Sequence, residues 1–170
     1  RPFRTPHHTT TVPALVGGGA KAKPGEVSLA NHGVLFLDEM PEYSRRALET
    51  LRQPLEDRKV TVARVQNTVE YPANFMLLAS MNPCPCGNYG SKTQVCRCTP
   101  TQIHNYVSKL SGPLMDRIDL QIEVDNITYG ELRGHSARTE TSAQIKKRIN
   151  AARAIQLERF KGLNILTNAA

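Results

Sequence analysis

The sequence predicts an α/β protein, and three observations predict it. Two short apolar runs, Gly33 to Leu37 and Phe75 to Ala79, read as buried strands of the continuous type found in parallel sheets. Between and after them lie segments whose apolar residues recur at helical spacing. Strands and helices that alternate in this way form a sheet covered by helices. The chain has 170 residues, which suits one domain, and 39% of them are hydrophobic.

Taken in order, residues 1 to 26 read as irregular or partly helical. They carry Pro2, Pro6, Pro13 and Pro24 and the triplet Gly17-Gly18-Gly19. The strand from Gly33 runs into two adjacent acids, Asp38 and Glu39. Pro41 suits the first turn of a helix whose face is Ala47, Leu48, Leu51 and Leu55; Pro54 should kink or end it. Lys59 to Ala73 is rich in Val, Thr and Tyr with a polar break at Gln66-Asn67, the pattern of a β-hairpin.

The strand Phe75–Ala79 leads into a loop that holds every cysteine, Cys84 to Cys98. Thr99-Pro100 starts a helix with the stripe Ile103, Tyr106, Val107 and Leu110, and Ser111-Gly112-Pro113 stops it. Ile118 to Val124 alternates apolar and polar, as a strand near a sheet edge does. A long basic helix is expected from about Ser142 to Phe160, with Ile145, Ile149, Ala152 and Ile155 on one face.

The net charge is +7, with eight Lys or Arg against three Glu between residues 129 and 161. A basic surface favours phosphate-rich partners, nucleic acid or nucleotides; the alternative is a solvated helix face. There is no run of about 18 apolar residues, and the start, RPFRTPHHTTT, has no signal-peptide core. The expectation is a cytoplasmic protein without a membrane partner.

Acids at the carboxyl end of a strand in an α/β sheet occupy the position where such sheets bind ligands. Asp38 can hold Mg²⁺ and Glu39 can polarise a water, as in the Walker B site of a nucleotide hydrolase. Acids there also occur simply because carboxylates suit helix N-termini. A Walker B site needs a phosphate loop, G-x-x-x-x-G-K-[ST], and this sequence has none. The stretch LVGGGAKAKPG, Leu15 to Gly25, has glycines and lysines but no Ser or Thr after either lysine.

Cys84, Cys86, Cys96 and Cys98 form two C-x-C pairs nine residues apart. Disulfides are disfavoured in the cytosol, and four thiolates match the ligand count of structural Zn²⁺. The spacing is tighter than the usual C-x₂₋₄-C, and Gly87 and Gly90 give the loop freedom; four unpaired thiols are the alternative. His7, His8 and His104 have no acid or cysteine close in sequence and read as structural or surface residues.

Several stretches occur in an order that resembles the magnesium-chelatase-like AAA+ ATPases of the YifB/ComM branch. They are RPFRTPHHT, LVGGGAKAKPGEVSLANHGVLFLDEMPE, LRQPLEDRKVTV, MNPCPCG and LSGPLMDRIDL, and the resemblance covers Arg1 to Asn164. It implies one partial AAA+ core domain over 1–170, a three-layer sandwich of P-loop NTPase type with an inserted β-hairpin and a Cys-rich loop. Its parts would be a helix-2 insert region (1–32), the Walker B segment (33–42) and a hairpin before the first sensor (58–73). The Cys-rich loop (82–100), the arginine-finger segment and last core strand (111–124) and the basic helix (141–161) would follow. The phosphate loop and the helical lid of that family lie outside the matched stretch.

The resemblance also implies roles. Asp38 would serve Mg-ATP, Glu39 would activate water, Asn82 would be the sensor, and Arg117 the finger that reaches a neighbouring subunit's ATP. An Asn before Pro83 also makes turns, and Arg117 has Asp116 and Asp119 nearby for a local ion pair. The parent protein would be an ATPase in a hexameric ring that remodels DNA, as in branch migration, with Lys59 and Arg64 of the hairpin toward DNA. The 170 residues alone would be inactive for want of a phosphate loop. The rivals are a chelatase motor that serves metal insertion into a porphyrin, and a non-catalytic zinc-bearing nucleic-acid module. A sheet lacking its central strand would also need covering, by rearrangement, by dimerisation or by a borrowed strand.

Overall fold

Strand β4 (Val34–Leu37) is paired on both edges, with β1 (Phe3–Arg4) on one side and β7 (Met76–Ala79) on the other. The computed structural model describes residues 1–19, 21–63, 68–124, 130 and 140–163. They fall into two compact units, one within 1–124 and one within 125–170.

Both pairings of β4 are parallel, as the α/β reading requires. Leu35 stands opposite Leu77 and Leu37 opposite Ala79. Strand side chains alternate between faces, so Leu35 and Leu37 share one face, and both are fully buried. Val34 and Phe36 take the other face and are half-buried. There the Phe3 ring lies 6.2 Å from that of Phe36. β7 is less buried than its apolar run suggested, with Met76 67% and Leu78 51% exposed. It has a neighbour on one side only, so it is an edge strand. No described residue pairs with its outer edge.

Short elements enclose the buried face of β4. They are α1 (Val12–Val16), the two-residue ribbon β2 (Gly17–Gly18) and β3 (Lys23–Pro24), and α2 (Glu26–Leu29). Leu15 and Val27 from the two helices join Leu35 and Leu37 in the core. Arg4 grips Glu26 with two parallel bonds of 2.6 and 2.8 Å, tying β1 to α2.

After β4 come a 3₁₀ turn (Met40–Glu42), α3 (Arg45–Glu49) and α4 (Arg52–Asp57). Ser44 caps α3 by accepting the Ala47 N–H at 3.2 Å. The sequence showed one apolar stripe here, but the helix is broken between the two segments. Pro54 explains the position of the break. It has no N–H for the Thr50 carbonyl four residues back, and its ring crowds that carbonyl. Leu48 and Leu51 stay buried on either side of the break.

The expected hairpin forms from β5 (Lys59–Ala63) and β6 (Thr68–Pro72), antiparallel. Val60 and Val62 face the core, and the Tyr71 hydroxyl donates to the Ala22 carbonyl at 2.6 Å. Its tip, with Arg64, lies outside the described residues. Thr99 caps α5 (Pro100–Val107) in a box with Gln102. Ser111 then caps a further short helix, α6 (Gly112–Met115), so Ser111-Gly112-Pro113 ends one helix by starting another.

The strand expected over Ile118–Val124 is not formed. The segment joins no ladder, and Leu120, Ile122 and Val124 are 81 to 86% exposed. Alternation suits a strand only where a neighbour supplies hydrogen-bond partners, and here none does.

In the second unit the described residues form α7 (Ser142–Arg159), capped by Thr141 in a box with Gln144. Its apolar face is open, with Ile145, Ile149 and Ile155 between 37 and 65% exposed.

Gly33 tests the β1–β4 pairing. A Cβ there would sit 1.9 Å from the Pro2 carbonyl oxygen, which accepts the Val34 N–H at 2.9 Å. Gly33→Ala is expected to cost about 1–3 kcal/mol, the range of a steric clash in a packed site. A shift of the urea midpoint at unchanged slope checks it; an unshifted midpoint would show that β1 yields freely.

Candidate functional site

The parallel register places the end of β7 beside the end of β4. Ser80 follows β7, and its N–H donates to the Leu37 carbonyl at 3.0 Å. Its hydroxyl donates to Asp38 Oδ1. The Met40 N–H donates to the Ser80 carbonyl at 2.9 Å. The chain therefore turns sharply off β4 around Ser80.

Glu39 is the residue that makes this turn. It has φ 51° and ψ 49°, in the left-handed region, where a non-glycine residue is uncommon. Its N–H lies 3.1 Å from Asp38 Oδ1 and 3.2 Å from Ser80 Oγ, and its carbonyl accepts the Glu42 N–H at 2.8 Å. These bonds hold the strained backbone in place. Both acid side chains face solvent at the strand end.

The N-terminal segment lies against the same acids. His8 Nδ1 is 3.7 Å from Glu39 Oε2, and the His7 ring lies 4.1 Å from that of His8. The Tyr43 hydroxyl donates to the Pro6 carbonyl at 2.5 Å and so pins the segment. Burial, and then the Asp38 charge, raise the Tyr43 hydroxyl above its ordinary pKa, keeping it a donor. Ser80, His8 and Tyr43 were not picked out by sequence reasoning. Ser80 carried a faint signal as the first polar residue after an apolar strand. The histidines carried none, because their acid is 31 residues away in sequence.

Asn82 follows two residues after Ser80 and is exposed. Its backbone hydrogen-bonds the Tyr106 hydroxyl of α5. Burial first, and then Glu42 and Glu39, disfavour ionisation of Tyr106, so α5 abuts the acid end of β4. Lys109 Nζ reaches Glu42 at 3.5 Å on the same side.

Arg117 is placed differently from the local alternative. It pairs with Glu56 of α4 and donates to the Pro113 carbonyl, rather than pairing with Asp116 or Asp119. Its side chain is 24% exposed, and its Nε is buried without a partner. Lys59 pairs across the hairpin with Glu70 at 2.9 Å and remains half exposed. His104 lies on α5 and faces solvent.

The four cysteines converge. Sulfur separations are 3.4 Å for Cys84–Cys86, 3.6 Å for Cys86–Cys96 and 3.8 Å for Cys84–Cys96. All four lie within 4.8 Å of one another, and none is in a disulfide. Backbone amides of Arg97 and Asn88, with the Cys84 thiol, lower the Cys86 thiol to about 6. Loss of water and the bond to Cys86 push Cys98 up to about 12. Crowded thiols thus share protons unevenly.

The geometry offers two chemistries. Hard carboxylate oxygens at a strand end suit a divalent cation and an attacking water. Four sulfurs at a point suit a soft or borderline cation.

Comparison with known proteins adds a family. The model described as magnesium chelatase, subunit ChlI, matches residues 1–132. The chain is 48% identical over 169 residues to competence protein ComM of Haemophilus influenzae, covering 99% of this chain and 33% of that protein. It is 48% identical over 164 residues to the uncharacterized protein YifB of Salmonella typhimurium, covering 96% of this chain and 32% of that one. An uncharacterized Mycobacterium bovis protein, Mb2921c, is 43% identical over 99% of this chain and 33% of its own length. Among solved structures, NtrX from Brucella abortus, in complex with ADP, superposes with a TM-score of 0.48 at 17% identity. That match covers 94% of this chain and 30% of NtrX, and at that score it bears no weight. The chain spans about a third of the length of the curated relatives it matches. With the family model matching most of its length, the chain belongs to the magnesium chelatase subunit ChlI family, in its YifB/ComM branch.

Proposed function

We propose that the protein carrying this chain is an AAA+ ATPase, a ring motor that acts on DNA. The observation that carries the reading is the placement of Asp38 and Glu39 at the end of β4, with Ser80 and Asn82 arriving from β7.

Asp38 is the Mg²⁺ residue, and Ser80 orients its carboxylate. The fit is one of donor chemistry: exposed oxygen donors beside a hydroxyl suit a hard cation. Bound Mg²⁺ would supply charge neutralisation at the phosphates. Glu39 takes the proton of the attacking water, from a left-handed turn at the strand end. Asn82 orients that water. Arg117 acts in trans in a hexameric ring, once released from Glu56. Lys59 and Arg64 face DNA from the hairpin.

DNA as substrate is supported by the net charge of +7 and by the name of the Haemophilus relative, a competence protein. The location is the cytoplasm, where ATP and DNA meet; no described helix is long and apolar enough to cross a membrane. The 170 residues alone have no G-x-x-x-x-G-K-[ST] and do not turn over ATP. A second reading, service of metal insertion into a porphyrin, is favoured by the family description. Both share the ATPase.

ATP hydrolysis by the full-length protein, with and without branched or single-stranded DNA, tests the reading. DNA is expected to raise turnover; turnover indifferent to DNA would favour the porphyrin reading. Glu39→Gln is expected to lower kcat about 100-fold or more, the range for loss of a general base, with ATP still bound. Ser80→Ala is expected to weaken Mg²⁺ dependence about tenfold, the effect of an outer-shell partner. Full activity of Glu39→Gln would end the assignment of the acids.

Arg117→Ala is expected to cost about 10³-fold. Mixing inactive Arg117→Ala with inactive Glu39→Gln protein should restore partial turnover, since some interfaces then hold both groups intact. No restoration at any ratio would place Arg117 in its own subunit's site or outside catalysis.

A further inference from the structure

We propose that Cys84, Cys86, Cys96 and Cys98 bind one zinc ion, and that this ion fixes the loop carrying Asn82 against α5. The second half of this proposal rests on the ATPase reading; the first half stands without it.

The sulfur positions match a single tetrahedral ion. At about 2.3 Å from a common centre, four sulfurs stand about 3.8 Å apart. The three pairs among Cys84, Cys86 and Cys96 lie at 3.4, 3.6 and 3.8 Å, and Cys98 Sγ lies within 4.8 Å of each. A disulfide would bring two of them to about 2.05 Å, and none is so joined. A cluster of several irons spreads its ligand sulfurs over a larger cage than one ion does. The backbone is shaped for the same purpose. Gly87, at φ 78°, turns the chain so that its N–H reaches the Cys84 carbonyl at 3.0 Å. The Tyr89 N–H donates to Cys84 Sγ at 3.3 Å, the kind of outer bond that orients a metal-binding thiolate.

Apart from the cysteines, the described loop is held by short local hydrogen bonds around Ser91. From Ser80 to Thr99 it contains no helix or strand, and Cys84 is its one buried residue. Its larger apolar side chains, Tyr89 and Val95, are 56% and 84% exposed. Apolar burial this small cannot offset the entropy of ordering such a segment, whereas a metal bound only by the folded loop can.

The ion would also complete a ring. Asn82 stands two residues before Cys84, and Cys98 stands one residue before Thr99, the cap of α5. Tyr106 on α5 then closes back on the Asn82 backbone, within reach of the Glu39 and Glu42 charges. Cut the ring at the cysteines, and Asn82 keeps β7 on one side and on the other only the Tyr106 contact. Zinc is thus a positioning element, continuous in the chain with the residue proposed to orient water.

The full-length protein, purified without chelator, should contain about one equivalent of zinc by elemental analysis. The double variant Cys96→Ser/Cys98→Ser should hold less than half an equivalent. On wild-type protein, a zinc chelator should speed hydrogen exchange at the amides of Asn82 and of α5, and added zinc should restore protection. Under the same treatment kcat should fall about tenfold or more, with nucleotide affinity little changed, and zinc should recover it. Wild-type protein without zinc, or with iron in its place, would overturn the site. Zinc that leaves without altering exchange at Asn82, or with loss of nucleotide affinity equal to the loss of kcat, would overturn the positioning role. A protein that binds zinc and shows the exchange change, yet hydrolyses no ATP with all its acids intact, would refute the ATPase reading and leave the zinc clip standing.

Discussion

The parallel register between β4 and β7 is the constraint on which the candidate site depends. Leu37 is opposite Ala79, so the residues that leave the two strands, Asp38 and Ser80, emerge side by side. A slip of one residue would turn the strand's side chains to the wrong faces, setting Leu77 against solvent and Leu78 against the core. It would also bring Met81 in place of Ser80 to Asp38. The burial of Leu35 and Leu37 therefore does more than stabilise the sheet. Through the register it fixes which polar group meets the acid, and Ser80 in turn gives the strained Glu39 backbone one of its two acceptors.

Much of this was legible in the sequence, and the reasons are specific. The run VLFL can be a short strand because its apolar side chains fill both faces, and its acids mark the end because they cannot continue into the core. The hairpin was legible because Val60 and Val62 alternate with Lys59, Thr61 and Ala63. The helix at Thr99 was legible from its cap, since Thr99 and Gln102 satisfy each other's backbone N–H. In each case the information is local. The two-residue strand β1 was not legible, because nothing in RPFR distinguishes it from irregular chain. It exists through the Val34 N–H and the absence of a side chain at Gly33.

Two apolar faces show the limit of periodicity. Ile118–Val124 and the stripe of α7 have the right periodicity, yet their apolar faces remain open among the described residues. Periodicity reports that a segment has an apolar face; it does not say what that face meets. The same holds for Phe75–Ala79, where an apolar run proved compatible with an edge strand. Of the candidate site, Asp38 and Glu39 could be singled out from sequence because they end an apolar strand, and the cysteines because they cluster in one loop; Asn82 came only through the family resemblance. The His8–Glu39 approach and the Arg117–Glu56 pair could not, since each joins segments whose proximity only the fold decides.

That last pair bears on the role proposed for Arg117. Arg117 is held by a carboxylate and a backbone carbonyl, while its Nε has no partner. A buried donor left unmatched costs about 1–3 kcal/mol, so this resting place is less comfortable than its ion pair suggests. A partly exposed pair contributes about 1 kcal/mol or less. The cost is thus at least as large as the gain. An arginine in that position can exchange Glu56 for another anion without a large barrier from lost contacts, and phosphate oxygens, which accept a guanidinium in fork geometry, offer the better match. The interaction that hides Arg117 is therefore weak enough to be undone by the one it is proposed to make.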